Sequence, residues 1–332
     1  MWTSGCYLGH VASGQAQLLW ARRPIDAVVD DPSTTNELRE RLERVLAVRA
    51  FADRLGLAVE DRYSHYAPWP GEQVVTTVVA TRPGEVEAAG FWFPIVGRVP
   101  YKGYFDGEKA RSEADRLRNS GLDVCTVPVR AYSTLGWFDD PVTGPMLRQP
   151  DGALVETLLH ELVHATAFAA SQPGFNEGVA SFVGEEARVR FFEEAEGPVA
   201  ARTQRDRVEE QRRIRAELLR LRREVEALYE SSPPGPARDA TRQTLEQETR
   251  NRVASLLLAA GSADDSAGRL RLNDACLALT ATYAADTDCY AEVLQSRDGD
   301  LQGFVERLRS SVAAEDPRAA LLGPEACPAP SH

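Results

Sequence analysis

"LLHELVHATAFAASQPGFNEGVASF" (residues 158–182) contains two of the five histidines of the chain, four residues apart, with a glutamate next to the first. Its first part belongs to ALVETLLHELVHATAFAA (residues 153–170), which has no glycine or proline and predicts a helix. Asp151 precedes this helix and can cap its start. Because residues four apart share one face of a helix, His160 and His164 can both reach one ion.

Residues 160–164 read HELVH, an HExxH motif. Neutral imidazole nitrogens are good zinc ligands, with Zn–N distances of ~2.0–2.1 Å. Glu161 is rotated by one position, which puts it near the fourth coordination site, where it can take a proton from a bound water. The alternative is a buried helix that carries these residues by coincidence, but histidines among leucines are costly unless their ring nitrogens find partners. The motif therefore predicts a zinc site with Glu161 as general base.

A catalytic zinc has three protein ligands and a water, so a third ligand is needed. No further histidine follows His164 until the end of the chain, whereas FNEGVASF (residues 175–182) offers Glu177. Twelve residues separate His164 from Glu177, enough for a helix end, a Pro-Gly turn and a second helix. Asn176 is expected to cap this second helix, with Glu177 in its first turn. The predicted metal ligands are His160, His164 and Glu177.

Three other glutamates lie near these ligands in the sequence. Glu185 and Glu186 lie further along the second helix, and a surface or supporting role is favoured for them over ligation. Glu156 lies one turn before His160, and a solvated or hydrogen-bonding role is favoured for it as well.

The segments before the motif alternate between helix and strand character. Residues 7–60 carry apolar residues at helical spacing, and Thr34 or Thr35 can cap the second helix of this region. EQVVTTVVA (72–80) is short and β-branched, which favours a strand. Further segments are predicted as one or two strands (90–105), a helix closed by Gly121 (106–121) and strand structure (122–138).

The segments after the motif predict a long antiparallel helical hairpin. Residues 186–230 are charged, with apolar residues along one side, and SSPPGP (231–236) interrupts them. Residues 237–261 then begin the return arm. A solvated surface is favoured over partner binding for the charged side chains of this hairpin.

The composition excludes some classes of function. A formal net charge of -12 disfavours binding to nucleic acid or to anionic membranes through bulk electrostatics. No apolar run reaches the ~18 residues that a membrane-spanning helix needs. None of the five cysteines lies in a CxxC pair, so a cysteine zinc site is not expected. Four cysteines could form two disulfides and leave Cys6 over; scattered free thiols are the alternative, and the spacing does not decide between them.

The motif region resembles the gluzincin metallopeptidases, because an HExxH motif is followed by an Asn-Glu-Gly-x-Ala segment. FNEGVASF is similar to the glutamate-bearing segment of the neutral zinc aminopeptidases, although the spacing is shorter here and their Gly-x-Met-Glu-Asn motif is absent. A wider resemblance is to a bacterial family described as predicted aminopeptidases, which are often lipoproteins. The stretches that carry it are GQAQLLWARRPI, FPIVGRVPYKGYFD, AYSTLGWFDDPV, LLHELVHATAF, FNEGVASFVGEE and LNDACLALTATY. The resemblance implies Zn²⁺-dependent hydrolysis of peptides and a location in the cell envelope.

The resemblance also completes the predicted fold. The expected class is α+β and mainly helical, with a small zincin-type sheet packed on the HExxH helix and the glutamate-bearing helix, plus the long hairpin. The chain (1–332) is expected to form a single zincin-like domain. Its parts are N-terminal helices (7–60), a catalytic core (61–185), a helical hairpin insertion (186–261) and C-terminal helices (262–316).

The N-terminal residues TSGC (3–6) look like the end of a bacterial lipoprotein signal, where a cysteine that becomes lipidated follows small residues. The apolar segment of such a signal is missing before them. Cys6 precedes GQAQLLWARRPI, where the family places its lipidated cysteine. Periplasmic location with membrane anchoring through Cys6 is therefore expected, and cytoplasmic location if the chain starts where the printed sequence does.

An oxyanion donor is expected beside the zinc, and tyrosine is one usual choice. Tyr101, Tyr104 and Tyr132 are the candidates, and Tyr132 is preferred because it precedes the HExxH helix most closely. Residues 133–136 could form a sheet edge that pairs with the substrate backbone; a core strand is the alternative.

The leading functional hypothesis is a zinc-dependent peptidase, specifically an aminopeptidase, in which Glu161 activates the zinc-bound water. One alternative is a non-catalytic envelope scaffold that uses the helical hairpin. The other is a zinc hydrolase of a non-peptide amide. The intact Glu161 disfavours the scaffold, because a structural metal site has no need of a base.

Overall fold

The computed structural model describes residues 3–93, 97–131, 140–261, 267–283 and 286–323. Within these ranges the chain forms thirteen helices and eight strands. The helices are α1 (Thr3–Trp20), α2 (Ile25–Val29), α3 (Asn36–Arg54), α4 (Gly107–Asn119), α5 (Gly144–Leu147), α6 (Asp151–Thr166), α7 (Pro173–Glu196), α8 (Pro198–Ser231), α9 (Pro236–Ala259), α10 (Asp274–Tyr283), α11 (Thr287–Gln295), α12 (Leu301–Ser311) and α13 (Pro317–Leu322). The strands are β1 (Arg23–Pro24), β2 (His65–Ala67), β3 (Val75–Thr81), β4 (Phe91–Phe93), β5 (Gly97–Val99), β6 (Tyr101–Tyr104), β7 (Asp123–Val129) and β8 (Val142–Thr143).

The strands form small sheets, which confirms a mainly helical α+β fold. One sheet has the order β6-β3-β7, with β3 antiparallel to both neighbours. A second has the order β1-β2-β8, in which β2 runs parallel to β8, and β4 pairs with β5. The sequence of β3, VTTVVAT, explains its central place, because β-branched residues suit a strand that is buried on both faces. The packing of a zincin-type sheet on the HExxH helix stays a prediction.

The chain divides into two compact units, and each is built from separate segments. The first comprises Met1–Gly14, Val75–Val129 and Asp206–Thr282, and the second comprises Gln15–Val74, Arg130–Arg205 and Tyr283–His332. The single zincin-like domain stays a prediction. None of the helices within the described ranges combines the length and the apolar character needed to span a bilayer.

In the first unit, α4 covers the β6-β3-β7 sheet. Val78 and Ala80 of β3 pack with Ala114 and Leu117 of α4 in a small apolar core. Asp106 caps α4 by accepting a hydrogen bond from the backbone N–H of the residue two positions on, at 2.8 Å. The helix is followed, as the sequence predicts, by a glycine with φ +81°, Gly121.

Helices α8 and α9 form the predicted antiparallel hairpin, and the break falls at SSPPGP as expected. In the first unit, the Arg252 guanidinium of α9 lies 2.6 Å from Glu217 of α8, whereas Arg238 stacks over the Tyr229 ring at 4.7 Å. Residue numbers therefore increase along α8 in the direction in which they decrease along α9, so the two helices are antiparallel. The structure differs from the predicted boundary in that α7 continues beyond residue 186 to Glu196.

A disulfide joins Cys125 of β7 to Cys276 of α10, 151 residues apart, in the first unit. Such a link stabilises the folded chain, mainly by restricting the unfolded one, by about 2–5 kcal/mol. Cys289 is also disulfide-bonded. The alternative of scattered free thiols is therefore wrong for these three cysteines, and Cys327 lies outside the described residues.

The second unit has its core around α6 and α7. Leu154, Leu158 and Leu162 recur at four-residue spacing on α6 and are fully buried. On α7, Phe182 packs against Tyr290 of α11, with ring centroids 5.7 Å apart. The helix pair that carries the predicted metal ligands is therefore part of the hydrophobic core and is held from several sides.

Candidate metal centre

Helix α6 holds the HExxH motif. It begins at Asp151, and its N-cap is Pro150, which makes no side-chain cap. The expectation that Asp151 caps the helix is therefore wrong, because its carboxylate forms ion pairs with Arg41 and Arg44 of α3 instead. An acidic residue in the first turn still suits the positive end of the helix dipole.

Helix α7 supplies Glu177, but its start differs from the prediction. The helix begins at Pro173, whose fixed φ suits the first helical position, so Asn176 lies inside the first turn and does not cap it. The Asn176 amide instead accepts a hydrogen bond from the Ala169 N–H at 2.9 Å and donates one to the Ala169 carbonyl at 2.8 Å. This buried pair ties the start of α7 to the loop after α6 and thereby fixes the position of Glu177.

The two histidines and Glu177 converge on one point. Nε2 of His160 and Nε2 of His164 are 3.1 Å apart. Oε2 of Glu177 lies 3.3 Å from the first of these nitrogens and 3.5 Å from the second. Among the described residues, this is the one group of three His, Cys, Asp or Glu side chains whose ligand atoms are close enough to hold a metal ion.

These three distances fit a zinc ion. Ligands about 2.0–2.1 Å from a tetrahedral centre are separated from each other by about 3.3–3.4 Å. The observed separations of 3.1, 3.3 and 3.5 Å bracket this value. Two imidazole nitrogens and one carboxylate oxygen are also a donor set that zinc commonly takes at catalytic sites.

The centre has a negative charge available for a cation. Burial by itself would raise the pKa of Glu177, but the hydrogen bonds from His160 and His164 outweigh it and lower the pKa to about 2. Glu177 is therefore ionised at neutral pH. Burial would lower the pKa of His160, but Glu177 and the nearby charge of Glu161 raise it overall.

Glu161 lies on α6 next to His160 and is half-buried. The charge of Glu161 contributes to the raised pKa of Tyr63, a residue that is only 2% exposed. Burial first, and then the charges of Glu161 and Asp140, raise the pKa of Tyr63 well above its usual value, so this phenol keeps its proton. Tyr63 also has a φ of +56°, which is uncommon for a residue with a side chain. Nothing in the sequence around Tyr63 distinguishes it from the other tyrosines; its folded environment does.

The candidate oxyanion donors and the candidate substrate-binding edge lie either in the first unit or outside the described residues. Tyr132, the preferred oxyanion donor, and the proposed edge 133–136 lie outside the described residues and stay predictions. Tyr101 and Tyr104 lie on β6 in the first unit.

The three additional glutamates are absent from the metal-ligand cluster. Glu156 accepts a hydrogen bond from Arg188 at 2.6 Å, and Glu186 pairs with both terminal nitrogens of Arg205 at 2.8 and 2.7 Å. Glu185 is fully buried. The hydrogen-bonding role favoured for Glu156 is confirmed, whereas a surface position is wrong for Glu185 and Glu186, because both residues are buried.

The fold and this cluster define a mainly helical protein with a candidate metal centre and an adjacent carboxylate. A family model identifies it further: the family described as "Putative aminopeptidase" matches residues 6–321, so the chain belongs to that family. Neither the curated proteins nor the solved structures contain a match.

Proposed function

We propose that this protein is a zinc-dependent peptidase, specifically an aminopeptidase, with His160, His164 and Glu177 as zinc ligands. The observation that carries the proposal is the convergence of the three ligand atoms at 3.1–3.5 Å. Membership of an aminopeptidase family supports a peptide substrate. The family resemblance of the HExxH and Asn-Glu-Gly segments supports the gluzincin type.

When bound, zinc supplies a Lewis acid that polarises the scissile carbonyl and acidifies a water molecule. The side chains of the protein then handle the protons. The Glu161 carboxylate accepts one proton from the attacking water as its oxygen bonds to the carbonyl carbon. Glu161 then delivers this proton to the departing amine nitrogen as the C–N bond breaks. The products are a carboxylic acid and an amine, and Glu161 returns to its ionised form.

A hydrogen-bond donor would stabilise the oxyanion that forms in this reaction. Tyr132 remains the donor that we propose from the sequence. Tyr63 serves as the comparison residue, because it lies in the same unit as the metal ligands and its pKa is raised by burial and by the charges of Glu161 and Asp140. Separate Phe substitutions at the two positions distinguish them, since only the donor's loss would lower kcat while leaving zinc content intact.

We also propose that the protein is located in the cell envelope and anchored through a lipid on Cys6. The basis is the TSGC sequence together with the family resemblance. The disulfide between Cys125 and Cys276 supports this proposal, because such bonds persist in oxidising compartments. Mass spectrometry of the protein from its native host would detect the lipid.

Glu161→Gln is the variant that tests the proposed chemistry. It retains the shape of the side chain but cannot accept the proton, so zinc content should stay at the wild-type value while hydrolysis falls by about 10²–10⁴-fold. Hydrolysis would be measured on fluorogenic peptide libraries with free and with blocked N-termini, with and without a chelator. Unchanged hydrolysis would refute the role of Glu161, and cleavage of blocked peptides alone would refute aminopeptidase action.

A further inference from the structure

The contact between α6 and α7 extends beyond the metal ligands. Glu156 lies one helical turn before His160 on α6. Arg188 lies eleven residues after Glu177 on α7, which turns it by only about 20° from Glu177 around the helix axis. The ion pair of Glu156 with Arg188, at 2.6 Å, therefore links the same two helix faces that carry the metal ligands.

Arg188 is enclosed in this contact. The residue is 2% exposed, and its Nε donates to Oε1 of Gln204 at 2.8 Å, while a terminal nitrogen donates to Glu156. We refer to Glu156, Arg188 and Gln204 as the polar trio. At Gly152 an added Cβ would lie 2.5 Å from Gln204 Oε1 and 2.9 Å from Arg188 Nε, so a glycine makes room for the trio.

The two helices also approach closely beside His160. A Cβ at Gly184 would lie 3.3 Å from the carbonyl oxygen of Glu156 and 3.4 Å from the Cβ of His160. Such distances are tighter than most real Cβ contacts. A small axial or lateral shift of α7 against α6 would therefore move Glu177 relative to the imidazole of His160 directly.

In this ion pair Arg188 is buried and Glu156 is half-buried, and a pair of this kind is a poor source of net stability. The desolvation of the two charges offsets much of their attraction, and replacement by apolar residues of similar volume is often neutral or stabilising. In some proteins such a pair instead fixes the geometry, because its directional hydrogen bonds are satisfied in only one register of the helices. Because this pair lies one helical turn from the predicted metal ligand His160, a fixed geometry here would also fix the position of that ligand.

We propose that Arg188 is a positioning residue which, through Glu156, fixes the register of α7 against α6 and so holds Glu177 at ligand distance from the two histidines. This inference rests on the proposed metal site. Arg188 touches none of the three ligand atoms and takes no part in proton transfer. Its contribution is to the affinity and geometry of metal binding.

The test replaces the polar trio with apolar residues in the triple variant Glu156→Leu, Arg188→Met, Gln204→Leu, which leaves no member of the trio buried without its partner. The matched control is Glu186→Leu, Arg205→Met. Glu186 lies nine residues after Glu177, about half a turn round the helix, so this control removes an Arg–Glu pair from the opposite face of α7. The zinc Kd would be measured by chelator competition, and the melting temperature without metal in parallel.

For the triple variant we expect an unchanged or higher melting temperature and a zinc Kd raised by about 10- to 100-fold, the effect typical of residues that orient metal ligands. For the control we expect the wild-type Kd. A wild-type Kd in the triple variant would overturn the positioning role alone, whereas absence of zinc binding by the unaltered protein would overturn the proposed function as well.

If the triple variant does not fold, Arg188→Lys provides the second test. Lysine keeps the charge but not the planar arrangement of donors that reaches Glu156 and Gln204 together. A raised zinc Kd without a loss of melting temperature would support the proposal, and an unchanged Kd would overturn it.

Discussion

The two ends of the α6–α7 contact each hold a glutamate against nitrogen-bearing side chains, but they differ in charge. At one end, Glu156 meets the guanidinium of Arg188, which is positively charged at any ordinary pH. At the other end, Glu177 meets two imidazoles, whose charge depends on protonation. Among the described residues, these imidazoles are the only basic groups paired with Glu177. At the first end the charge of Glu156 is thus balanced by Arg188, whereas the second end is suited to accept a cation.

Loss of the carboxylate at the second end should have the largest effect. Glu177→Gln keeps the size of the side chain but removes its negative charge, so we expect the zinc Kd to rise by about 100-fold or more, since even supporting residues contribute 10- to 100-fold. Peptide hydrolysis should fall with zinc occupancy, and excess zinc should restore part of it. Chelator competition measures the Kd, and a wild-type value would show that Glu177 is not a ligand.

Asn176→Ala should have an intermediate effect, because it removes both hydrogen bonds to Ala169 that hold the start of α7. The backbone N–H and C=O of Ala169, which is 3% exposed, would lose these partners, at about 1–3 kcal/mol of unfolding free energy. Zinc binding should weaken as well, because Glu177 is the next residue. Denaturant unfolding with and without zinc measures this free energy, and wild-type stability would show that the two hydrogen bonds to Ala169 do not hold the start of α7.

Glu113 in the first unit extends the comparison to a carboxylate that has permanent cationic partners. The hydrogen bond from Arg116, aided by Lys102, lowers the pKa of Glu113 to about 2 despite burial. Its stabilising effect should therefore be present above its unfolded pKa of ~4.3 and be lost as the pH falls toward 2.

The matching experiment is an acid titration of Glu113→Gln, which should show a flatter loss of stability between pH 4.5 and 2 than the wild type. Of the variants predicted here, this one should have the smallest effect on zinc binding. Glu113, like Glu156, is paired with permanently charged side chains and not with imidazoles. The difference in acid stability between Glu113→Gln and the wild type should therefore be the same with and without zinc. If the difference in stability between the variant and the wild type disappeared on metal removal, carboxylates paired with Arg or Lys would not be distinct from the metal-binding carboxylate Glu177.

The features of the molecule that its sequence predicts correctly are local ones. The four-residue spacing of His160 and His164 determines that they share a helix face, and prolines with glycine at 231–236 mark the break of the hairpin. Family resemblance added the relation to aminopeptidases, which the family model confirms.

The parts that sequence did not supply depend on contacts between distant segments. Asn176 suits a helix cap by type, but Pro173 starts the helix earlier and the amide is used by Ala169. The partnership of Arg188 with Glu156 spans 32 positions and follows from the register of two helices. Tyr63 differs from the other tyrosines through its burial near the charge of Glu161, which its sequence neighbours do not reveal.

The proposed metal site can be examined through the zinc content of the purified protein. Protein purified with zinc available, and then freed of loosely held metal, would be analysed by inductively coupled plasma mass spectrometry beside Glu177→Gln. We expect about one zinc per chain in the wild type, removal by a strong chelator, and a marked loss of zinc in the variant. Wild-type protein without zinc, or equal zinc in both proteins, would contradict the proposed metal site.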